Sequence, residues 1–145
     1  MNKKGFTLIE LLVVVAIIGL LSTLAVVALG NARTKARDSK RLSDLKQIQT
    51  ALELYYTDNS GYPAAATGQN LGVTGGSYVC LSSAGFAATG CADPYMAVVP
   101  KDPKAGQNYV YTSTASSSYS VVATLEGNMN GMSGTVTLSQ SGIAD

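Results

Sequence analysis

The side chains that could carry out chemistry in this 145-residue chain are few. The sequence contains no histidine, which excludes a His general base, Ser-His-Asp or Cys-His catalysis and a His-ligated metal site. Its nine carboxylates are scattered, and no nucleophilic side chain has a recognisable base partner. The sequence therefore predicts a protein that is not an enzyme and that carries no cofactor and no catalytic metal.

One carboxylate, Glu10, stands in unusual surroundings because it lies within an apolar segment. Residues 6–32 include 20 apolar residues out of 27, and residues 11–32 carry no charge. An ionised carboxylate within a membrane-spanning helix costs about 3 kcal/mol or more, so such residues usually have a partner. From the residues alone, Glu10 is either a solvated glutamate at a membrane interface or one half of an ion pair.

The element that carries Glu10 is predicted to be a helix. Residues 6–32 would form a helix about 40 Å long at about 1.5 Å per residue, enough to cross a hydrocarbon core of about 30 Å. A cleaved secretory signal fits poorly, because the apolar run is too long and Gly30-Asn31-Ala32 is a poor cleavage site. A plain membrane anchor fits the length but leaves Glu10 unexplained.

The residues just before the apolar run form a specific motif. Positions 3–11 read KKGFTLIEL, which resembles the type III signal of type IV prepilins and pseudopilins. The resemblance implies that a dedicated peptidase cuts between Gly5 and Phe6 on the cytoplasmic side and that the new amine of Phe6 is methylated. It also implies an assembly role for Glu10, whose carboxylate would neutralise the Phe6 amine of a neighbouring subunit and set the register of subunit addition.

The helix is predicted to continue beyond the apolar segment, since no proline precedes Pro63. The charged and amide residues of this second half, including Asp44, lie mainly off an apolar stripe that is typical of a helix face packed on a core. Gly61 is expected to end the helix as a left-handed cap. The stripe consists of Leu42, Leu45, Ile48, Leu52, Tyr55 and Tyr56.

Residues 33–46 form a basic collar, with six basic residues against two aspartates and a net charge of +4. We interpret the collar as a juxtamembrane face held by anionic lipid headgroups and later by acidic patches of neighbouring subunits. DNA capture is the weaker alternative, because the collar lacks aromatic residues that could stack on bases. The basic residues are Arg33, Lys35, Arg37, Lys40, Arg41 and Lys46.

The remainder of the chain is rich in Gly, Ser, Thr and Ala and is predicted to form a small antiparallel sheet. The sheet is expected to lie over the apolar stripe of the helix, with a long loop, 64–103, on the other side. The fold class is α+β, and the resemblance implies the lollipop shape of pilins. Strands are predicted at 108–113, 119–125 and 135–139, with a weaker one at 77–81 and hairpin loops at 114–118 and 127–134.

These elements divide the chain into four segments. They are a leader peptide (1–5), a transmembrane and assembly helix (6–32), an amphipathic helix (33–61) and a loop-plus-sheet body (62–145). The resemblance places the body outside the cytoplasm, where two cysteines normally pair, so Cys80 and Cys91 are interpreted as a disulfide. Two free thiols are the alternative, and a redox role is weaker because a CxxC spacing is absent.

The resemblance also raises a calcium site, since some pseudopilins bind calcium near the sheet. Positions 126–131 carry oxygen donors on alternate residues. Lone amides make a weak site for a hard cation, so a polar hairpin loop is the favoured interpretation.

Taken together, these features favour a structural subunit of a type IV pilus filament that serves adhesion, twitching motility or DNA uptake. A pseudopilin of a type II secretion system is the alternative, followed by a non-polymerising membrane-anchored binding module. The implied partners are further copies of the chain, the inner-membrane assembly machinery, the prepilin peptidase and membrane lipid before assembly.

The resemblance also implies a location. The precursor would cross the inner membrane once with its body outside, then join an extracellular pilus or, in the alternative, a periplasmic pseudopilus. The basic residues that flank the apolar segment favour the opposite orientation by count, since the collar is richer in them than the leader. We follow the resemblance on this point.

Overall fold

The first element of the protein is a long α-helix. In the computed structural model, which describes residues 5–145, this helix, α1, spans Leu8–Asn59 without interruption. Residues 1–4 of the predicted leader lie outside the described residues. The chain divides into two compact units, one that ends at Thr34 and one that spans Lys35–Asp145, and α1 contributes residues to both.

In the first unit, the apolar part of α1 has no covering. Its large hydrophobic side chains range in exposure from 47% at Val14 to 80% at Leu8. By length and composition this stretch could cross a membrane. An apolar surface of this size marks a site that lipid or other protein covers.

In the second unit, α1 buries one face. The predicted stripe is confirmed at Leu42, Leu45, Ile48 and Leu52, which are all buried. It is narrower than predicted at its end, because Tyr56 is 39% exposed. The buried face also includes Asp38, Arg41, Asp44 and Ala51, so the prediction that Asp44 lies off the packed face is wrong.

The end of α1 differs from the prediction in one residue. Ser60, and not Gly61, takes the left-handed conformation after the helix, with φ 57°, and its N–H donates to the Tyr56 carbonyl at 2.8 Å. Gly61 serves a different purpose, because an added Cβ there would lie only 3.0 Å from the Ser116 Cβ. The next residue, Tyr62, donates its N–H to the Ser116 carbonyl at 2.8 Å. The missing side chain of Gly61 therefore lets the helix end approach the sheet.

Seven strands follow α1, and all of their pairings are antiparallel. Five of them form one sheet in the order β1-β4-β5-β6-β7, and β2 and β3 form a separate hairpin. The strands are β1 (Ala65–Asn70), β2 (Cys80–Ser82), β3 (Gly85–Ala87), β4 (Val110–Ala115), β5 (Ser118–Thr124), β6 (Thr135–Ser139) and β7 (Gly142–Ala144).

The three central strands of the sheet, β4 to β6, confirm the three main strand predictions within two residues at each end. The long loop predicted at 64–103 is wrong in part, since it contains β1, β2 and β3. Strand β1 reads AATGQN and β7 reads GIA, so neither shows the β-branched and aromatic alternation that marks a strand. Both lie at the sheet edges, where pairing with a neighbour stabilises residues of low strand propensity.

The sheet packs on α1 through alternate side chains. In the strand register, Val121 lies opposite Tyr111 on one side and Leu138 on the other, and all three are fully buried. They share one hydrophobic core with the buried leucines and Ile48 of α1. The α+β class, a long helix packed on a small antiparallel sheet, is confirmed.

Candidate functional site

The start of α1 is closed by a capping box. The N–H and hydroxyl of Thr7 donate to Glu10 Oε2 at 2.8 and 2.7 Å, and the Glu10 N–H donates to the Thr7 hydroxyl at 3.3 Å. This reciprocal arrangement satisfies backbone donors that a helix N-terminus otherwise leaves without partners. The signal was present in the sequence, since Thr-x-x-Glu before an apolar run is the motif for such a cap.

The predicted cleavage site lies just before this cap. Gly5, Phe6 and Thr7 are not helical, and all three are exposed. Gly5 and Phe6 therefore present an accessible peptide bond outside the regular structure of α1. Glu10 lies one turn into the helix on a surface where every side chain from Phe6 to Arg33 is exposed.

Cys80 and Cys91 are joined by a disulfide with a Cα–Cα distance of 6.2 Å. Cys80 is the first residue of β2, and the bond ties this strand to the segment that follows β3. The hairpin packs on the sheet through Phe86, whose ring centroid lies 5.2 Å from that of Tyr111. The disulfide thus closes the two-strand unit, and Phe86 of this unit packs against a fully buried tyrosine of β4.

Replacing both cysteines with serine is expected to destabilise the second unit by about 3 kcal/mol, the loop-closure value for a ring of this size. Thermal unfolding of the oxidised wild type against the Cys80→Ser, Cys91→Ser double variant measures the effect. A free-thiol assay on the unfolded wild type should detect no thiol. Two reactive thiols, or equal stabilities, would contradict this prediction.

The basic collar does not form a single exposed surface. Arg41 is fully buried within the second unit, and its guanidinium contacts groups from three segments of the chain. It donates to Asp38 Oδ1 at 2.6 Å within α1 and to both oxygens of Asp102 at 2.8 Å. Further donations reach Gln107 Oε1 at 2.9 Å and Glu126 Oε1 at 2.8 Å. We call Arg37, Asp38, Arg41, Asp102, Lys104 and Glu126 the charge cluster.

Glu126 is the second centre of the charge cluster. Arg37 forms a two-bond pair with it, at 2.7 and 2.8 Å, and Lys104 Nζ lies 3.2 Å from its Oε2. The hydrogen bonds from Arg37, and then those from Arg41 and Lys104, hold the pKa of Glu126 well below its usual range. The hydrogen bonds to Asp102, and then those to Glu126 and Asp38, raise the pKa of Arg41. Glu126 and Arg41 therefore stay ionised at any physiological pH.

A neighbouring polar contact accounts for the burial of Asp44. Its side chain accepts a hydrogen bond from the Tyr109 hydroxyl at 2.9 Å and from Lys40 Nζ at 3.1 Å. Burial, and then the negative charge of Asp44, raises the pKa of Tyr109. Asp44 can be buried on the packed face because both of its oxygens are satisfied.

These contacts remove Arg37 and Arg41 from the predicted headgroup-binding or DNA-binding face, and the other four basic residues of the collar leave that prediction untested. Arg41 has no exposed surface, and Arg37 uses its guanidinium on Glu126. Their carboxylate partners, Asp102 and Glu126, are more than 60 residues away along the chain, so no local pattern could have identified them. Arg33, Lys35, Lys40 and Lys46 remain exposed.

Acid should weaken the second unit through Glu126. Its folded pKa lies below the ordinary value of 4.5, so its contribution is complete above about pH 4.5 and is lost as the pH falls toward the folded value. The free energy of unfolding, measured by denaturant titration between pH 6 and about pH 2, is expected to fall with pH. Glu126→Gln should flatten that slope, whereas Asp145→Asn at the exposed C-terminus should not. A slope unaffected by Glu126→Gln would contradict the assignment.

The loop raised as a calcium site has the structure of a polar hairpin loop. Met129 and Met132 exchange backbone hydrogen bonds at 2.9 and 3.0 Å, and Asn130 takes a left-handed turn conformation with φ 55°. Glu126, the only carboxylate of the loop, is engaged in the charge cluster. Within residues 5–145, no group of three or more His, Cys, Asp or Glu side chains is arranged to hold a metal ion.

Comparison with known proteins adds two family matches. Residues 1–26 match the prokaryotic N-terminal methylation motif, and residues 28–138 match the family described as type II secretion system (T2SS), protein G. No solved structure matches the chain.

The chain spans about half the length of the curated relatives that it matches, which are named type II secretion system core protein G. The relative from Pectobacterium carotovorum is 38% identical over 73 residues, covering 50% of this chain and 47% of the relative. The relative from Escherichia coli K12 is 40% identical over 67 residues, covering 46% of each chain. The relative from Vibrio cholerae is 38% identical over 73 residues, covering 50% of each chain.

Proposed function

Because the chain belongs to the type II secretion system protein G family, we propose that it is a pseudopilin, a structural subunit of the periplasmic pseudopilus of a type II secretion system. In this proposal the precursor is anchored in the inner membrane by residues 6–32 and carries its body on the periplasmic side. Copies of the chain then polymerise through α1. The proposed role is structural, in line with the absence of histidine and of a catalytic constellation in the sequence.

The expectation of a type IV pilus subunit is wrong. The family match over residues 28–138 and the relatives named type II secretion system core protein G favour the alternative, a pseudopilin of a type II secretion system. The features of the sequence that favour a pilus are the short Ser/Thr/Gly-rich body and the lack of a clear calcium site. Neither feature bears on whether the filament stays in the periplasm, so the extracellular location falls with it.

The observation that carries the proposal is the contrast between the two units. The second unit buries its hydrophobic residues in one core, whereas the first leaves a continuous run of large apolar side chains exposed. Lipid covers this run in the precursor, and neighbouring copies would cover it after assembly. Since lipid tails are as apolar as leucine, close packing and electrostatic pairing between helices must favour the assembled state.

Processing of the N-terminus is the second part of the proposal. A peptidase would cut the Gly5–Phe6 bond, and methylation would follow on the Phe6 amine. The match to the methylation motif and the exposed, non-helical backbone of Gly5 to Thr7 support this order of events. Cleavage leaves the new amine four residues from Glu10, and a neighbouring copy could bring the two charges together.

The experiment is a deletion and complementation test in the source bacterium. Loss of the chain is expected to retain a type II secretion substrate in the periplasm, and the wild-type gene should restore its release. Mass spectrometry of the pseudopilus subunit should find methylated Phe6 as its first residue.

Two outcomes would overturn the proposal. One is normal secretion after deletion together with loss of surface filaments, which would assign the chain to a pilus. The other is a mature protein that retains residues 1–5 in an unpolymerised form, which would assign it to an anchored binding module.

A further inference from the structure

The charge cluster brings three carboxylates from three separate segments into contact with one guanidinium. Asp38 comes from α1, Asp102 from the loop before β4 and Glu126 from the loop between β5 and β6. All three lie against the same guanidinium, that of Arg41, at 2.6 to 2.8 Å. Carboxylates that converge from different loops are also the ligands that a hard divalent cation prefers, so the question is what neutralises them here.

Every carboxylate oxygen of the cluster has a donor from the chain itself. Asp38 Oδ1 accepts from Arg41 and from the Glu126 N–H at 3.0 Å, and its Oδ2 accepts from the Gly127 N–H at 2.9 Å. Asp102 Oδ2 accepts from Arg41, and its Oδ1 accepts from Arg41 and from the Lys104 N–H at 2.8 Å. These bonds leave Asp38 and Asp102 fully satisfied without an ion.

Glu126 completes the set. Its Oε1 accepts from Arg37 and Arg41, and its Oε2 accepts from Arg37 and lies 3.2 Å from Lys104 Nζ. Three cationic side chains therefore balance three carboxylates. A calcium ion does not fit this cluster, because it would have to displace a buried guanidinium whose positive charge has no other partner.

We infer that Arg41, assisted by Arg37 and Lys104, takes the place that a divalent cation would have between Asp38, Asp102 and Glu126, so that the body folds independently of calcium and magnesium. The inference does not depend on the proposed function, since it concerns the second unit alone. In this inference, cationic side chains of the chain itself join α1 to two loops of the body. The junction therefore does not depend on the concentration of divalent cations in the surroundings.

The test is thermal unfolding of the purified full chain in detergent, with CaCl₂ or with a chelator. The wild type is expected to show the same Tm in both, and isothermal titration with CaCl₂ should detect no uptake. Arg41→Met leaves three carboxylates against two cations, so its Tm is expected to be lower and to rise as CaCl₂ is added. The matched control, Lys46→Met, removes an exposed cation from the same helix and should respond to CaCl₂ as the wild type does.

Two results would overturn the inference. The first is a wild-type Tm that falls on chelation or rises with CaCl₂, which would mean that the cluster binds the ion despite its arginines. The second is an Arg41→Met variant whose Tm does not respond to CaCl₂. If Arg41→Met does not fold, the comparison of the wild type with CaCl₂ and with a chelator decides the inference by itself.

Discussion

Replacing Arg41 with methionine should lower the free energy of unfolding of the second unit by about 3–5 kcal/mol, the usual cost of breaking a buried ion pair from one side. Methionine keeps the unbranched shape of the arginine stem, so loss of packing contributes little. The loss arises because Arg41 donates to Asp38, Asp102 and Glu126, so its removal leaves these carboxylates without the cation they share. Denaturant titration of the full chain, followed by far-UV circular dichroism, measures the change.

The control for this prediction is Lys46→Met, which removes the same charge from an exposed position of α1. Exposed substitutions of this kind usually change stability by less than about 0.5 kcal/mol. If the two variants were equally stable, the charge cluster would not hold α1 to the loops of the body. Replacing Arg41 and its carboxylate partners together with apolar residues should cost less than Arg41→Met alone, since no uncompensated charge would remain.

The second large effect concerns Glu10. Glu10→Gln keeps an oxygen that can accept from Thr7 in the capping box, because glutamine serves in this motif as glutamate does. It removes only the negative charge. If that charge neutralises the Phe6 amine of a neighbouring copy, its loss leaves a buried amine uncompensated at about 3–5 kcal/mol. The equilibrium constant for subunit addition is then expected to fall at least about a hundredfold.

Thr7→Val is the matched variant, because it removes the hydroxyl of the cap and leaves the Glu10 charge in place. It should cost about 1 kcal/mol at the helix start and leave assembly nearly normal. Both variants are scored by the yield of sheared pseudopili and by mass spectrometry of Phe6 methylation. The reverse pattern, with Thr7→Val defective and Glu10→Gln normal, would make Glu10 a capping residue with no part in assembly.

Much of the fold could be predicted because its signals are local. The helix that spans Leu8–Asn59 follows from the absence of proline before Pro63, and β4 to β6 follow from alternating β-branched and aromatic residues. The sequence predicts a left-handed conformation at Gly61, at the end of α1, whereas Ser60 adopts this conformation in the structure. Local propensity favours glycine in a left-handed conformation. Gly61 is instead required because an added Cβ there would lie only 3.0 Å from the Ser116 Cβ.

The choice between pilus and pseudopilus could not be made from the physical character of the residues. A helix that is apolar all round serves either filament, because both cover the same surface with copies of the chain. Composition of the body does not decide the matter either. The match over residues 28–138 identified the family, because such a match depends on the order of the residues and not only on their average composition.

The sequence by itself determined the processing motif, the apolar first half of α1, the stripe of leucines in its second half and the three central strands. Each of these features depends on residues that are close together in the sequence, within about two helical turns or within one strand. Periodicity and spacing are therefore enough to predict them. Only the tertiary structure decided what the basic collar does. Arg41 meets Asp102 and Glu126 because the sheet carries two distant loops to one face of α1. This pairing buries one cation of the collar, whereas Arg33, Lys35, Lys40 and Lys46 stay exposed.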